Sequence, residues 1–275
     1  MPLLEGWRDD MKTGKKLGIF FWVAVVFLNL PLFIIVPVSL TSGDFLKFPP
    51  TDFGLRWYLS YLLDPQWMDA TLLSLRVALI SGFLATVLGT LTALGIERGA
   101  PRWRGPLLTF IGTPVVIPQI FMALGIFVIA LRFNLLSNEA VLIGAHATMG
   151  YPFVVLIVLA QVQQLDVAIE RAARIHGASA TRTFFSVTLP ALRASIISGA
   201  IIAFFTSFDE LTVALFLMNG HETLPMKLWA NMRLDISPVI ASVATVLMTA
   251  TIAGLLTTEI LRRRSVGDKA VVSVR

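Results

Sequence analysis

Long apolar runs separated by short polar intervals dominate this chain. A bilayer hydrocarbon core of about 30 Å needs roughly 20 apolar residues in helical form. Six runs meet that length: 17–41, about 70–95, about 106–131, about 139–163, 190 to about 218, and 238 to about 261. The pattern predicts an all-α membrane protein with six transmembrane helices. Its organisation reads as a polar N-terminal segment (1–16), a membrane domain (17–261) and a basic tail (262–275). The first run follows Lys12, Lys15 and Lys16 like a signal peptide, but it is too long for a cleavable one and no small-x-small site follows. An uncleaved signal-anchor is expected.

The intervals have structure of their own. Residues 42–69 carry Trp57, Tyr58, Tyr61 and Trp67, which suit an amphipathic piece at the membrane interface. Residues 219–237, "NGHETLPMKLWANMRLDIS", predict a short helix or re-entrant turn.

Composition agrees with lipid as the solvent. Only 14% of the 275 residues are charged and mean hydropathy is +0.80, whereas soluble domains carry about a quarter charged residues. The absence of cysteine excludes disulfides and thiolate chemistry. His146, His176 and His221 are too far apart to suggest a metal cluster, and no HExxH or GxSxG occurs, so neither a metal nor a catalytic set is expected.

The net charge of +5 suggests nucleic acid less than it suggests loops on one side of a membrane. Sixteen Lys and Arg residues fall in the two terminal segments and the intervals near 98–104 and 164–193, against five in the opposite intervals. By the positive-inside rule both termini are cytoplasmic, and so is the interval between the fourth and fifth spans.

That interval, the loop at about 164–190, contains "ERAARIHGASATRTFFSVTLPALR". At helical spacing Ile169, Ala172, Ala173 and His176 share one face, with Glu170, Arg171 and Arg174 on the other. Gly177 is placed to end this helix, Ser179 to cap a second short one through Phe185, and Pro190 to sit in the first turn of the fifth span. The result is a helix–Gly–helix elbow. Positive-inside amphipathic surface helices alone would also account for it.

The wording goes further. "RAARIHG…VTLP" resembles the cytoplasmic-loop signature of bacterial ABC importer permeases: Glu-Ala-Ala, three residues, Gly, nine residues, Ile-x-Leu-Pro. Ala172, Ala173, Gly177, Leu189 and Pro190 match, and Val187 replaces Ile. "ISGFLATVLGTLTALGIERG", "TPVVIPQIFMALGIF", "HATMGYPFVV" and "FFTSFDELTVALFL…TLPMKLW" are similar to the polyamine subgroup.

The resemblance implies a non-catalytic subunit paired with a second homologous permease. Two cytoplasmic ATPase subunits would grip the elbows through Glu170, Arg171, Ala172, Ala173, Gly177, Leu189 and Pro190, and a binding protein would deliver the solute. ATP and Mg would be held by the partner ATPase; no cofactor is expected on this chain, which has no GxxxxGK[ST] loop. The signature's Glu aligns with Arg171, and Glu170 stands one residue early. The signature salt bridge is therefore expected to differ here, with Glu170 presented from a rotated face or a changed partner surface.

Inside the fifth run, "TSFDELT" places Asp209 and Glu210 in apolar surroundings, where carboxylates face a cavity or a partner. Ala191, Ser195, Gly199 and Ala203 form a small-residue stripe centred near Thr206. The acidic pair is expected on that side, with Phe204 and Phe208 turned away. Two roles stay open: lining the path of a cation such as a polyamine, or capping a broken helix and pairing with Lys227 or Arg233. Tyr151, near His146, and Gln119, beside Pro118, are further path candidates, though each is also explained by packing.

Two other function classes compete. A secondary transporter would show inverted-repeat halves with paired broken helices, and an intramembrane enzyme would show a convergent nucleophile–base or metal set. Neither pattern is seen.

Overall fold

The structure is a computed structural model. It describes residues 2–99, 101–234 and 237–254, with side chains described from Leu17 onward apart from a few positions beside the gaps. The described chain is helical. Its described residues form two compact units, one of those up to Pro65 together with those from Asn231 onward, and one of Gln66–Ala230.

In the first unit, α1 (Pro2–Ser39) is followed by α2 (Arg56–Leu63), and α12 (Val239–Gly254) returns near the C-terminus. The apolar stretch Leu17–Ser39 is long enough to cross a membrane, and Phe20, Phe27 and Leu28 on it are exposed. Hydrocarbon accepts such a surface where water would not. Asp44 pairs with Arg56 at 2.8 Å, and Trp57 donates through Nε1 to the Gly43 carbonyl at 2.9 Å. Ser242 on α12 donates to the Ser39 carbonyl at 3.1 Å. The expected sixth span extends beyond the last described residue: 255–261 and the basic tail lie outside the described residues.

The second unit is built on two unbroken helices, α3 (Pro65–Gly99) and α6 (Glu139–Val162). At 1.5 Å rise per residue the 35 residues of α3 run roughly 52 Å, well past a hydrocarbon core. The expected third span is instead two helices, α4 (Arg104–Val116) and α5 (Gln119–Arg132), bent by 94°. Proline explains this correction. It disfavours helical backbone in the preceding residue, and Ile117 is extended at φ −69°, ψ 128°.

The expected fifth span is also in two pieces, α9 (Leu189–Phe208) and α10 (Thr212–Leu217). α11 (Leu224–Leu234) supplies the short helix expected at 219–237.

The core separates into two clusters. One joins α3 and α4 to the later half of α6 and to α9 through Ala93, Ile111, Val154, Val158, Leu192 and Ala203. The other joins α5 and α10 to the early half of α6 through Ala123, Leu142, Ala145, Met149, Val213 and Leu217. Phe127 and Phe216 add an edge-on ring contact at 5.9 Å.

Small residues set how closely these helices approach, since lipid gives apolar surfaces no solvent-driven reason to associate. A Cβ on Gly89 would lie 2.8 Å from Val154, and one on Gly150 would lie 3.0 Å from the Ala203 Cβ. The buried stripe of α9 is Leu192, Ser195, Gly199, Ala203 and Ser207. Ala191, expected in it, is exposed, and Leu192 takes its place.

Candidate coupling and translocation sites

The elbow begins at α7 (Val167–Ile175), where the Asp166 carboxylate accepts from the Ala168 N–H at 2.8 Å. Gly177 ends it at φ +85°, a left-handed position that a Cβ would strain. The Ala178 N–H reaches the Ala173 carbonyl at 3.1 Å and the Gly177 N–H reaches that of Arg174 at 3.0 Å, the paired bonds of a Schellman close. Ser179 then accepts from the Arg182 N–H at 3.2 Å, starting α8 (Ala180–Thr183).

The second half differs from the expected separate helix. α8 passes through a wide π turn at Phe184–Thr188 directly into α9, making one helical run over Ala180–Phe208. Pro190 accounts for the widening. It lacks an N–H and its ring crowds the carbonyl four residues back, and a π turn relieves both in place of a break.

The two polar neighbours on α7 part company. Arg171 is exposed, whereas the Glu170 side chain is 14% exposed. The Glu170 carboxylate pairs with the Arg98 guanidinium at the end of α3 and accepts from the Thr188 hydroxyl at 2.6 Å. Ala172, Gly177 and Pro190 are exposed, and Ala173 and Leu189 are half-buried.

At the fifth-span break the acidic pair also separates. Glu210 is buried, and its carboxylate accepts from the Val213 N–H at 2.9 and 3.0 Å and from the Ala214 N–H at 3.2 Å, satisfying the start of α10. His146 Nε2 lies 3.4 Å away, while its Nδ1 is 2.8 Å from the Ser207 hydroxyl, which accepts from Ser81 at 2.8 Å. This buried chain links α3, α6, α9 and the break. Asp209, by contrast, is exposed.

Lys227 donates to Gln66 Oε1 at 2.7 Å and lies 3.6 Å from Glu222. The Thr206 hydroxyl turns back onto the Ile202 carbonyl at 2.8 Å, and Tyr151 donates to Thr92 at 2.8 Å. Gln119 is exposed at the first turn of α5, beside the third-span break. Sequence reasoning did not single out Arg98, Thr188, Ser81 or Ser207. Their partners lie 18 to 126 residues away, so no local pattern marks them.

Comparison with known proteins supplies the family. Residues 85–266 match the model of the binding-protein-dependent transport system inner membrane component. The putrescine transport system permease protein PotI of Escherichia coli K12 is 30% identical over 232 residues, 82% of each chain. The spermidine/putrescine permease PotC of the same strain is 25% identical over 247 residues, 90% of this chain and 93% of that one.

Among solved structures, a bacterial ABC transporter for the acidic polysaccharide alginate superposes with TM-score 0.70 at 14% identity, covering 93% of this chain and 97% of the other. At that identity the likeness is one of fold. The all-helical architecture, the family match across both core clusters and the relationship to PotI lead to one conclusion: the chain belongs to the family of binding-protein-dependent transport system inner membrane components, the multi-pass permeases of ABC importers.

Proposed function

We propose that this permease forms half of the translocation path of an ATP-driven importer for a polyamine or a similarly compact organic cation. In this reading it has six spans with both termini cytoplasmic, a membrane domain over 17–261 and a basic tail over 262–275. It pairs with a second permease, two ATPase subunits that hold ATP and Mg, and a solute-delivering binding protein. The observation that carries the reading is the near full-length relationship to permeases named for putrescine and spermidine. The alginate transporter, involved in the import of an acidic polysaccharide, shares the fold, so the cation rests on the relatives and on the acidic residues.

The elbow supports the reading physically. Val167, Ile169 and Ile175 are 56%, 58% and 83% exposed on a helix with no buried residue, an apolar surface that a partner protein would cover. Ala172, Ala173 and Gly177 allow such a partner to approach closely, and Arg171 replaces the signature's acid with a base. At the breaks, Asp209 and Gln119 are exposed and free to meet solute. Thr206 and Tyr151 donate their hydroxyl hydrogens within the fold, which leaves their oxygens as acceptors for a cationic solute.

Uptake of labelled putrescine and spermidine by the full assembly in proteoliposomes tests the reading. ATP-dependent uptake that falls in D209N, with assembly intact, supports it. Uptake by this chain alone on a proton gradient would instead make it a secondary transporter.

A further inference from the structure

We propose that Glu170 is the strap that fastens the elbow to the membrane helices, a positioning residue that delivers movement of α7 to α3 and α9 together. The proposal rests on the reading of the elbow as the point gripped by the ATPase. It differs from the expectation that Glu170 meets that partner directly.

Four observations carry it. First, α7 has no buried residue, and Val167, Ile169 and Ile175 are exposed, so apolar packing does not hold it against the bundle. Second, Glu170 on α7 has charged and hydrogen-bonding partners in other helices: the Arg98 guanidinium, and the Thr188 hydroxyl at 2.6 Å. Third, those partners stand at mechanically distinct places. Arg98 lies in the last turn of the 35-residue α3, and Thr188, 1% exposed, ends the π turn that feeds α9. A π turn is a local irregularity of the helical ladder and is frequent at functional sites. Fourth, successive helix residues point about 100° apart, so the side that turns Glu170 inward leaves Arg171 exposed to a partner.

The covalent links at the two ends of α7 lead elsewhere. The chain enters from α6 through the turn at 163–166 and leaves through the Schellman close at Gly177 into α8 and α9. Neither link joins α7 to α3. With the Glu170 contacts, a push on α7 reaches the second and fifth spans at once.

The test uses the complete reconstituted assembly, with two readouts: retention of the ATPase through purification, and ATP hydrolysed per polyamine imported. The variants are E170Q, R98A, T188V and the charge-reversed pair R98E/E170R. E170Q and R98A should keep the ATPase bound while the ATP consumed per solute rises by about five-fold or more, the lower end of ordinary coupling energies. T188V should raise it less, and the reversed pair should move the ratio back toward wild type.

Loss of the ATPase in E170Q but not in R98A would overturn the proposal, because Glu170 would then touch the partner. A wild-type ratio in both single variants would overturn it too. Should E170Q fail to reach the membrane, R98A and T188V decide by the same ratio. An A173D chain that still holds the ATPase would instead defeat the docking reading beneath the proposal, whatever Glu170 does.

Discussion

Replacing Glu210 by alanine should destabilise the second unit far more than the same change at Asp209 beside it. The Glu210 carboxylate satisfies two backbone donors, the Val213 and Ala214 N–H groups, and faces His146 in a buried setting. Alanine leaves both backbone donors without that acceptor. A lost helix cap is worth about 1 kcal/mol and a buried unsatisfied donor about 1–3 kcal/mol. Allowing one donor to find water in the space vacated, the cost is about 3 kcal/mol, roughly a hundred-fold in the folded-to-unfolded ratio.

Tryptophan fluorescence of the protein in lipid nanodiscs should show a Tm lower by on the order of 10 °C. E210Q keeps one carbonyl oxygen as acceptor and should fall between. D209A removes an exposed carboxylate and should stay within about 0.5 kcal/mol of wild type. If E210A melts with wild type, or if D209A falls equally far, the capping assignment fails.

Three further outcomes follow from the same geometry. G177V forces a β-branched residue into φ +85° and should cost about 1–2 kcal/mol, read as faster limited proteolysis between 174 and 182. G89V places a side chain where a Cβ alone meets Val154 at 2.8 Å; it should lower Tm by an amount that V154A partly restores, with about 1–2 kcal/mol of coupling in the double-mutant cycle. R76A breaks a two-bond pair with Glu139 at 2.5 and 2.6 Å, but with the Arg76 side chain 60% exposed it should cost under about 1 kcal/mol, and added salt should erase the difference.

The spans that apolar length alone decides were legible in the sequence. Leu17–Ser39, Pro65–Gly99 and Glu139–Val162 stand where the runs lie, because a stretch without charge for twenty residues has few alternatives in lipid. Gly177 was legible as well, since a glycine closing an amphipathic stretch before a serine cap leaves little choice of backbone. The third-span break was not, because counting apolar residues is blind to backbone direction: Ile117-Pro118 interrupts a run that hydropathy reads as continuous. The fifth-span break was half legible, since capping a broken helix was one of two roles open to the acidic pair, and Glu210 takes it by offering its carboxylate to the backbone three and four residues on.

Glu170 shows the limit most clearly. A helical wheel puts it with Arg171 and Arg174 on one polar face, and its partners Arg98, 72 residues earlier, and Thr188, 18 residues later, turn it inward.

The irregular points of the second unit are treated in two different ways. At 209–211 the departure from helix is sealed: Glu210 satisfies the new helix start, and His146, Ser207 and Ser81 continue the chain of polar contacts inward. At the π turn, Thr188 and Glu170 do the same with Arg98. At 115–119 there is no such seal, and Val115, Val116, Ile117, Pro118 and Gln119 are all exposed. The Ile117 N–H still returns to the Thr113 carbonyl at 3.1 Å, but no side chain is bonded across the 94° bend among the described residues. Exposed non-helical backbone at membrane depth is tolerated only against protein or water. A bend of this kind facing lipid would be unstable, so it requires a neighbour that the described residues do not provide. In the proposed assembly, the second permease and the aqueous path between the two subunits supply it.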